Sequence, residues 1–205
     1  MSDRANVVAD MTKDEVLTEF RDAGALLEGH FVLTSGLHSS AYLQCARVMM
    51  DAQRGGRLCG ALRDKVLAVI DDDIELVVSP AMGGVVVGYE MGRQFGVPAI
   101  FFERVDGKFA LRRGFEIVQG TKCLMVEDIV TTGLSSRECI AAIEHCGGVV
   151  AGACCLIDRS NGTANLKVPL ACLAEVDIPT YEADNIPGHL AQIPAVKPGS
   201  RSLSA

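Results

Sequence analysis

Hydrophobic and polar positions along this chain change rhythm twice. Near the start, Val16, Leu17 and Phe20 recur at helical spacing behind Thr12-x-x-Glu15, a capping-box signature, and Gly24 ends the segment. Residues 25–50 read as short strands around a Ser/Gly turn, and residues 53–70 put Leu58, Leu62, Val66 and Ile70 on one helix face. From there, short apolar runs at 74–79, 98–102, 122–126 and 149–157 alternate with longer segments. Two of those segments are helical in pattern: 84–95, with Val86, Val87 and Met91 on its inner face, and 135–146. Strands alternating with helices predict βαβ units, hence an α/β fold with a central, mostly parallel sheet flanked by helices. In such sheets ligands bind at the carboxyl ends of the strands, which makes the loops there the place to look.

Composition narrows the class. A chain of 205 residues fits one domain, and 49% hydrophobic against 22% charged residues is ordinary globular usage. No run of about 18 apolar residues predicts a membrane span. The N-terminal stretch carries acidic residues and no signal-peptide core, so a cytoplasmic protein is expected. The 8 cysteines sit in apolar settings such as KCLMV and GACCLI, without a C-x-x-C pair, and read as buried free thiols. A formal net charge of −7 argues against a nucleic-acid partner bound through phosphates. Any anionic ligand must be caught locally.

Three strand-end loops carry candidate chemistry. In VEDIVTTGLSSRE, Glu127 and Asp128 leave the third run, Thr131-Thr132-Gly133 turns, and Ser135-x-x-Glu138 reads as a capping box. Free N–H groups at a helix start favour a phosphate, and carboxylates suit ribose hydroxyls or a divalent cation, so a ribose 5-phosphate would satisfy both halves. Solvated acids on an ordinary strand–turn–helix remain the alternative. The stretch has neither the lysine of a Walker loop nor G-x-G-x-x-G. In SPAMGG, residues 79–84, glycines let backbone approach a ligand closely, or serve only tight strand–helix packing. In ERVDGKFALRRG, residues 103–114, Asp106-Gly107 signals a hairpin bearing Arg104, Lys108, Arg112 and Arg113. It reads as a cationic flap for a polyanion, or as a solvated hairpin tip.

VEDIVTTG resembles the phosphoribosyl-diphosphate (PRPP) signature of type I phosphoribosyltransferases. FVLTSGLHSSAYLQC (31–45), LIDRSNG (156–162), LRRGFEI (111–117) and IPAVKPGSR (193–201) are similar to stretches of one bacterial branch of the orotate phosphoribosyltransferases. The resemblance runs from about residue 20 to the end. It implies a type I phosphoribosyltransferase fold in a single domain, 1–205, with a hood over about 20–50, a core over about 53–176 and a tail over 177–205. The implied reaction is transfer of ribose 5-phosphate from PRPP to orotate, giving orotidine 5′-monophosphate and diphosphate in pyrimidine biosynthesis. Glu127 and Asp128 would hold the ribose hydroxyls. Ile129, Val130, Thr131, Thr132, Gly133, Leu134 and Ser135 would clamp the 5-phosphate. Ala81, Met82 and Gly83 would form the diphosphate loop, with a non-proline cis peptide between Ala81 and Met82. Thr131, Tyr42, Leu43 and Arg159 would meet orotate, Arg159 pairing with its carboxylate unless it is tied to Asp158 or solvated. Arg104, Lys108 and Asp128 are the implied catalytic groups, with Lys108 expected to matter most to turnover. Mg²⁺ is the implied cofactor, held mainly through substrate, with Glu127 and Asp128 reaching it through water. The flap acts across a homodimer interface in that family.

The chain departs from the family pattern at three cationic positions. Ala110 stands where many members have a flap histidine, Gly83 where many have a lysine in the diphosphate loop, and Thr34 where many have a lysine in the hood. Arg112 and Arg113 are expected to supply the missing charge. A purine phosphoribosyltransferase would share the PRPP site but not Arg159 or the hood. A PRPP-sensing regulator that binds nucleic acid would need a basic face, which 26 acidic against 19 basic residues disfavours.

Overall fold

The computed structural model describes residues 11–33 and 36–198; Thr34 and Ser35 of the hood stretch and tail residues 199–205 lie outside the described residues. Helix α1 (Lys13–Asp22) begins with the predicted capping box: Thr12 N donates to Glu15 Oε2 at 2.8 Å and Glu15 N to Thr12 Oγ1 at 3.3 Å. Its Val16, Leu17 and Phe20 are buried, as the spacing requires. Strands β1 (Leu26–Val32) and β2 (His38–Leu43) pair antiparallel. The stretch expected to continue as strand instead turns helical in α2 (Cys45–Met49), where Cys45, Val48 and Met49 are buried. Asp51 then caps α3 (Ala52–Val69), accepting from Gln53 N and Arg54 N at 2.9 and 3.0 Å.

The alternating part of the chain builds β3 (Leu76–Pro80), α4 (Gly83–Phe95), β4 (Ala99–Val105), β5 (Lys108–Leu111), β6 (Lys122–Val130), α5 (Leu134–His145), β7 (Val149–Asp158) and β8 (Leu170–Glu175). These strands lie in the order β5-β4-β3-β6-β7-β8. All neighbours run parallel except the β4–β5 hairpin. One face of the sheet buries Val77, Leu124 and Leu156 against Phe20, Leu58, Leu62 and Met91 from the helices α1, α3 and α4. The other buries Val78, Phe102 and Met125 against Cys139, Ile140 and Ile143 of α5. Each such large apolar side chain contributes roughly 1.5–3 kcal/mol on burial. Both faces are covered, as an α/β reading predicts. Six of the cysteines are buried, and all eight are free.

The face of α4 differs from the expected one. Val87 and Met91 are buried, but Val86 is 52% exposed. The inward stripe is completed by glycines: a Cβ at Gly88 would lie 2.8 Å from Ser79 Oγ, and one at Gly92 would lie 2.8 Å from Ala99 Cβ. Hydrophobic periodicity does not register a face built from residues without side chains. Outward, Val86 joins Met82 and Tyr89 in an exposed apolar row.

After β8, β9 (Thr180–Tyr181) adds to β2, completing a three-stranded hood sheet in the order β1-β2-β9. The tail then passes through α6 (Gly188–Ala191), whose Leu190 is buried, and runs back along β1. Val32 N donates to Val196 O and Val196 N to His30 O, both at 2.8 Å. The Ile193 carbonyl sits 2.9 Å from His30 Nδ1, and His30 Nε2 sits 2.6 Å from His38 Nδ1. A carbonyl only accepts, so in neutral His30 the proton is on Nδ1 and Nε2 accepts from His38. The tail is therefore a strap on the hood. Ending the chain at Gln192 is expected to lower the melting temperature by a few degrees and raise KM for a ligand of the hood severalfold, leaving a phosphate-loop ligand unaffected. Steady-state kinetics and a thermal melt check this.

Candidate active site

Strand order fixes the site. From β3 the chain moves outward through α4 to β4, whereas β6 lies on the other side of β3 and continues to β7. The turns leaving β3 and β6 thus part from each other at the carboxyl edge, the topological switch point where open α/β sheets bind ligands.

The acids do not leave the strand, as the sequence reading had them do. β6 continues to Val130, with Glu127 in register with Cys155 and Val130 with Asp158 of β7. The partner strand β7 is long enough to keep the ladder going, so the backbone of both acids is held in the sheet. Glu127 is buried; desolvation pushes its carboxyl up to about 7, against hydrogen bonds from Ser136 and Ser135 and the nearby charge of Arg104, with Asp128 adding to the rise. Asp128 is also raised by burial, partly offset by the Ile129 N–H that its Oδ1 accepts at 2.9 Å. A folded pKa above the ordinary 4.5 favours the neutral form: that stability is complete below 4.5 and lost as pH rises through about 7. At about 1.4 kcal/mol per pH unit, holding Glu127 charged at alkaline pH costs on the order of 3 kcal/mol. Glu127→Gln is expected to raise the melting temperature at pH 8 by several degrees and to gain almost nothing at pH 4.5, in ligand-free protein. Equal melting temperatures at pH 8 would refute the assignment.

The capping box expected at Ser135-x-x-Glu138 does not form. Gly133, with φ of 71°, occupies the N-cap of α5, and no side chain caps the helix. Its first turn, where Leu134 N donates to Thr132 Oγ1 at 3.4 Å, borders a cavity of about 240 Å³ lined by Arg104, Glu127 and the loop from Ile129 to Ser136. Glu138 points elsewhere, to Arg104 at 2.5 Å. Arg137 donates to the Thr132 carbonyl at 3.0 Å and steadies the loop. Ser136 Oγ donates to Glu127 Oε2 at 2.5 Å. The sequence reading did not single out Ser136 or Arg137. Their only signal was their position, within one helical turn of the acid–threonine stretch.

The β3–α4 turn uses both of its glycines. An added Cβ at Gly84 would approach Val126 O to 3.0 Å, which is close strand–helix packing. One at Gly83 would lie 2.7 Å from Asp128 Oδ2, so the acid's carboxylate rests on the first residue of α4. The Ala81–Met82 peptide is cis, as the resemblance implied.

The flap splits its cations. Asp106 and Gly107 both have positive φ, the geometry of a two-residue hairpin turn. Arg104 donates to Gly107 O at 2.8 Å, lies 4.1 Å from the Phe109 ring centroid and lines the cavity with Glu127. Arg112 and Arg113 pair with Glu103 at 3.6 and 2.6 Å, on the opposite side of the strand from Arg104. Lys108 is exposed at the hairpin tip. Within this chain, Arg104 is brought to the acids, and Lys108, Arg112 and Arg113 are not.

On the other side of the loop, Arg159 N donates to Val130 O at 2.8 Å, which sets Arg159 beside the end of β6. Its Nε is buried without a hydrogen-bond partner, and burial lowers its pKa. Asp158 does not take it: Asp158 Oδ1 accepts from Ser160 N at 2.7 Å. In the hood, Tyr42 is half-buried with its hydroxyl 3.2 Å from Gln44 Oε1, and the Leu43 side chain belongs to the core.

An acid pair held in a strand, an uncapped helix start beside it and a glycine turn across the switch point make a site for a phosphorylated sugar, and residues 51–181 match the family described as the phosphoribosyl transferase domain. The orotate phosphoribosyltransferase of Rhizorhabdus wittichii is 57% identical over 195 residues, covering 95% of this chain and 100% of that protein. The protein of the same name from Maricaulis maris is 56% identical over 194 residues, again covering 95% of this chain and 100% of its own length. The crystal structure of orotate phosphoribosyltransferase from Aeropyrum pernix superposes with a TM-score of 0.62 at 25% identity, covering 78% of this chain and 93% of that one. The chain belongs to the phosphoribosyltransferases and, within them, to the orotate phosphoribosyltransferase family.

Proposed function

We infer that the protein transfers the ribose 5-phosphate group of PRPP to orotate, giving orotidine 5′-monophosphate and diphosphate. The observation that carries this is the pairing of a buried and a half-buried carboxylate on β6, Glu127 and Asp128, with a half-buried guanidinium just past the end of β7, Arg159, whose Nε lacks a partner. The first pair suits hydroxyls, and the second group suits a carboxylate on the incoming base.

In the reaction, the bond from ribose C1 to the diphosphate oxygen breaks as an orotate nitrogen bonds to C1. Positive charge develops on the sugar and negative charge on the leaving diphosphate. No protein nucleophile is needed, so the residues act by placement and by electrostatics. Glu127 and Asp128 accept from the ribose hydroxyls. The N–H groups from Thr131 to Ser135, at the positive end of α5, hold the 5-phosphate. Arg159 orients orotate through its carboxylate, with Thr131 and Tyr42 flanking the base. The Ala81–Gly83 turn and Arg104 meet the diphosphate. Two adjacent carboxylates at the sugar fit a hard cation that keeps most of its ligands from substrate and water. Mg²⁺, when bound, would neutralise charge on the departing diphosphate, with Glu127 and Asp128 as its protein side.

Lys108, Arg112 and Arg113 are assigned to the active site of a second copy in a homodimer, which supports a closed site that excludes water. The exposed row of Met82, Val86 and Tyr89 on α4, with Met50 at 81% exposure, gives such a dimer an apolar surface to bury. No described helix is long and apolar enough to cross a membrane, and we place the reaction in the cytoplasm, where eight free thiols stay reduced.

The test is loss of orotate absorbance with PRPP and Mg²⁺, against parallel reactions containing adenine, hypoxanthine, xanthine or uracil. Turnover confined to orotate supports the reading. Turnover with a purine would discard the role of Arg159, and PRPP binding without turnover on any base would indicate a sensor.

A further inference from the structure

Glu127 is the longer of the two acids and the less naturally fixed. Asp128 is anchored by the backbone N–H of Ile129 and by its seat on Gly83. A glutamate has an additional rotatable bond, and one whose carboxylate wanders cannot offer a fixed oxygen to a sugar hydroxyl. In this chain something stops it. Ser136, 1% exposed, donates its hydroxyl to Glu127 Oε2 at 2.5 Å, within the range of a charge-assisted hydrogen bond. A helical serine ordinarily folds its hydroxyl back on the carbonyl four residues earlier. For Ser136 that carbonyl belongs to Thr132, which accepts from Arg137 Nη1 at 3.0 Å. The Ser136 hydroxyl turns to Glu127 instead.

We propose that Ser136 is a positioning residue for the transfer reaction: it pins one oxygen of Glu127 and so fixes where the other oxygen points in the ribose cavity. The neighbouring Ser135 also favours the charged carboxylate, but it is half exposed at the mouth of the same cavity. Ser136 borders the same cavity but is almost wholly buried, with its hydroxyl committed to Glu127, through which it acts. The arrangement links the first turn of α5, which holds the 5-phosphate, to the carboxylate that holds the ribose, so the two halves of the sugar phosphate are located by one rigid unit. This inference rests on reading Glu127 as a ribose-binding group.

The experiment is a double-mutant cycle on the full chain, with S136A, S136C, E127D and the two S136–E127D combinations. Kinetics are measured with PRPP varied at saturating orotate, then with orotate varied, together with a thermal melt of each variant. Loss of a hydrogen bond to a charged group predicts about a tenfold rise in KM for PRPP in S136A, a smaller change in kcat and no change in KM for orotate. In E127D the shortened carboxylate no longer reaches Ser136, so adding S136A is expected to change KM by less than about twofold, and the two effects do not add. A serine that served only the fold would lower the melting temperature and leave KM for PRPP unchanged, and that result overturns the proposal. So does an equal loss on both backgrounds. S136C, nearly isosteric and a poor donor, is expected to follow S136A, which keeps the test open should alanine fold badly. Failure of the unmodified protein to turn over orotate and PRPP would instead sink the reading of the site, and is distinguished from both.

Discussion

Arg159→Ala is expected to lower kcat/KM for orotate by about a thousandfold while leaving PRPP affinity within about twofold. A site built to pair with a charged group loses on this scale when one partner is removed, because the other is left buried and unpaired. The structure gives the reason for placing so large an effect on one residue. A half-buried guanidinium ordinarily finds a carboxylate, and Asp158 next door is within reach of the chain, yet its oxygen is committed to Ser160 N. Arg159 Nε is left without a partner, and the charged form is disfavoured by burial. That arrangement weakens the free protein and is relieved when a ligand brings the missing anion. Arg159→Lys keeps the charge but loses the planar fork, so it is expected to recover only a minor part of the activity. Steady-state kinetics with each substrate varied, and PRPP binding measured separately, check both variants. An unchanged KM for orotate in Arg159→Ala would remove Arg159 from the base pocket.

Much of this site could be read from the chain before its shape was known, and the failures have identifiable causes. The strand–helix alternation, the Asp106-Gly107 hairpin and the Thr12 capping box are local signals, and each formed where its residues stand. The acid pair was legible too, but its placement was not. Nothing in VEDIVTTG shows that β7 is long enough to carry the ladder through Glu127 to Val130. Ser135-x-x-Glu138 had the letters of a capping box, yet Gly133 took the cap in a left-handed conformation and Glu138 went to Arg104 on the flap. The inner face of α4 was misassigned at Val86 because Gly88 and Gly92, not a third apolar side chain, touch the sheet. The tail gave no periodic signal at all, since its pairing to β1 is made by backbone atoms of Val196. The four basic flap residues looked like one cluster in sequence, but alternation along the hairpin divides them, with Arg104 on one side and Glu103 holding Arg112 and Arg113 on the other. Contacts between distant segments decided every one of these points.

Gly83→Ala is expected to reduce kcat/KM for PRPP by about a hundredfold in a protein that folds normally, since displacements near 1 Å in a reacting geometry cost on this order. Gly83 is the first residue of α4. Alanine in a helix is favoured over glycine by roughly 0.5–1 kcal/mol, so the backbone has no objection. The objection is steric and specific. The new Cβ would stand 2.7 Å from Oδ2, 2.8 Å from Oδ1 and 2.9 Å from Cγ of Asp128. With both oxygens and their carbon in the way, turning the carboxylate about its own axis gives no escape, and Oδ1 is tied to Ile129 N. Asp128 must swing away from the sugar or α4 must move away from β6. Either way the Asp128 oxygen proposed to meet a ribose hydroxyl is displaced while Glu127 stays. The substitution also separates charge from shape. Many relatives by resemblance have a lysine at this position, which would argue that Gly83→Lys restores a missing cation. The lysine carries the same Cβ, and with Asp128 seated on the glycine it is expected to lose as much as alanine does. Activity of Gly83→Lys above that of the unmodified chain would show that the carboxylate yields and that charge was the quantity in short supply.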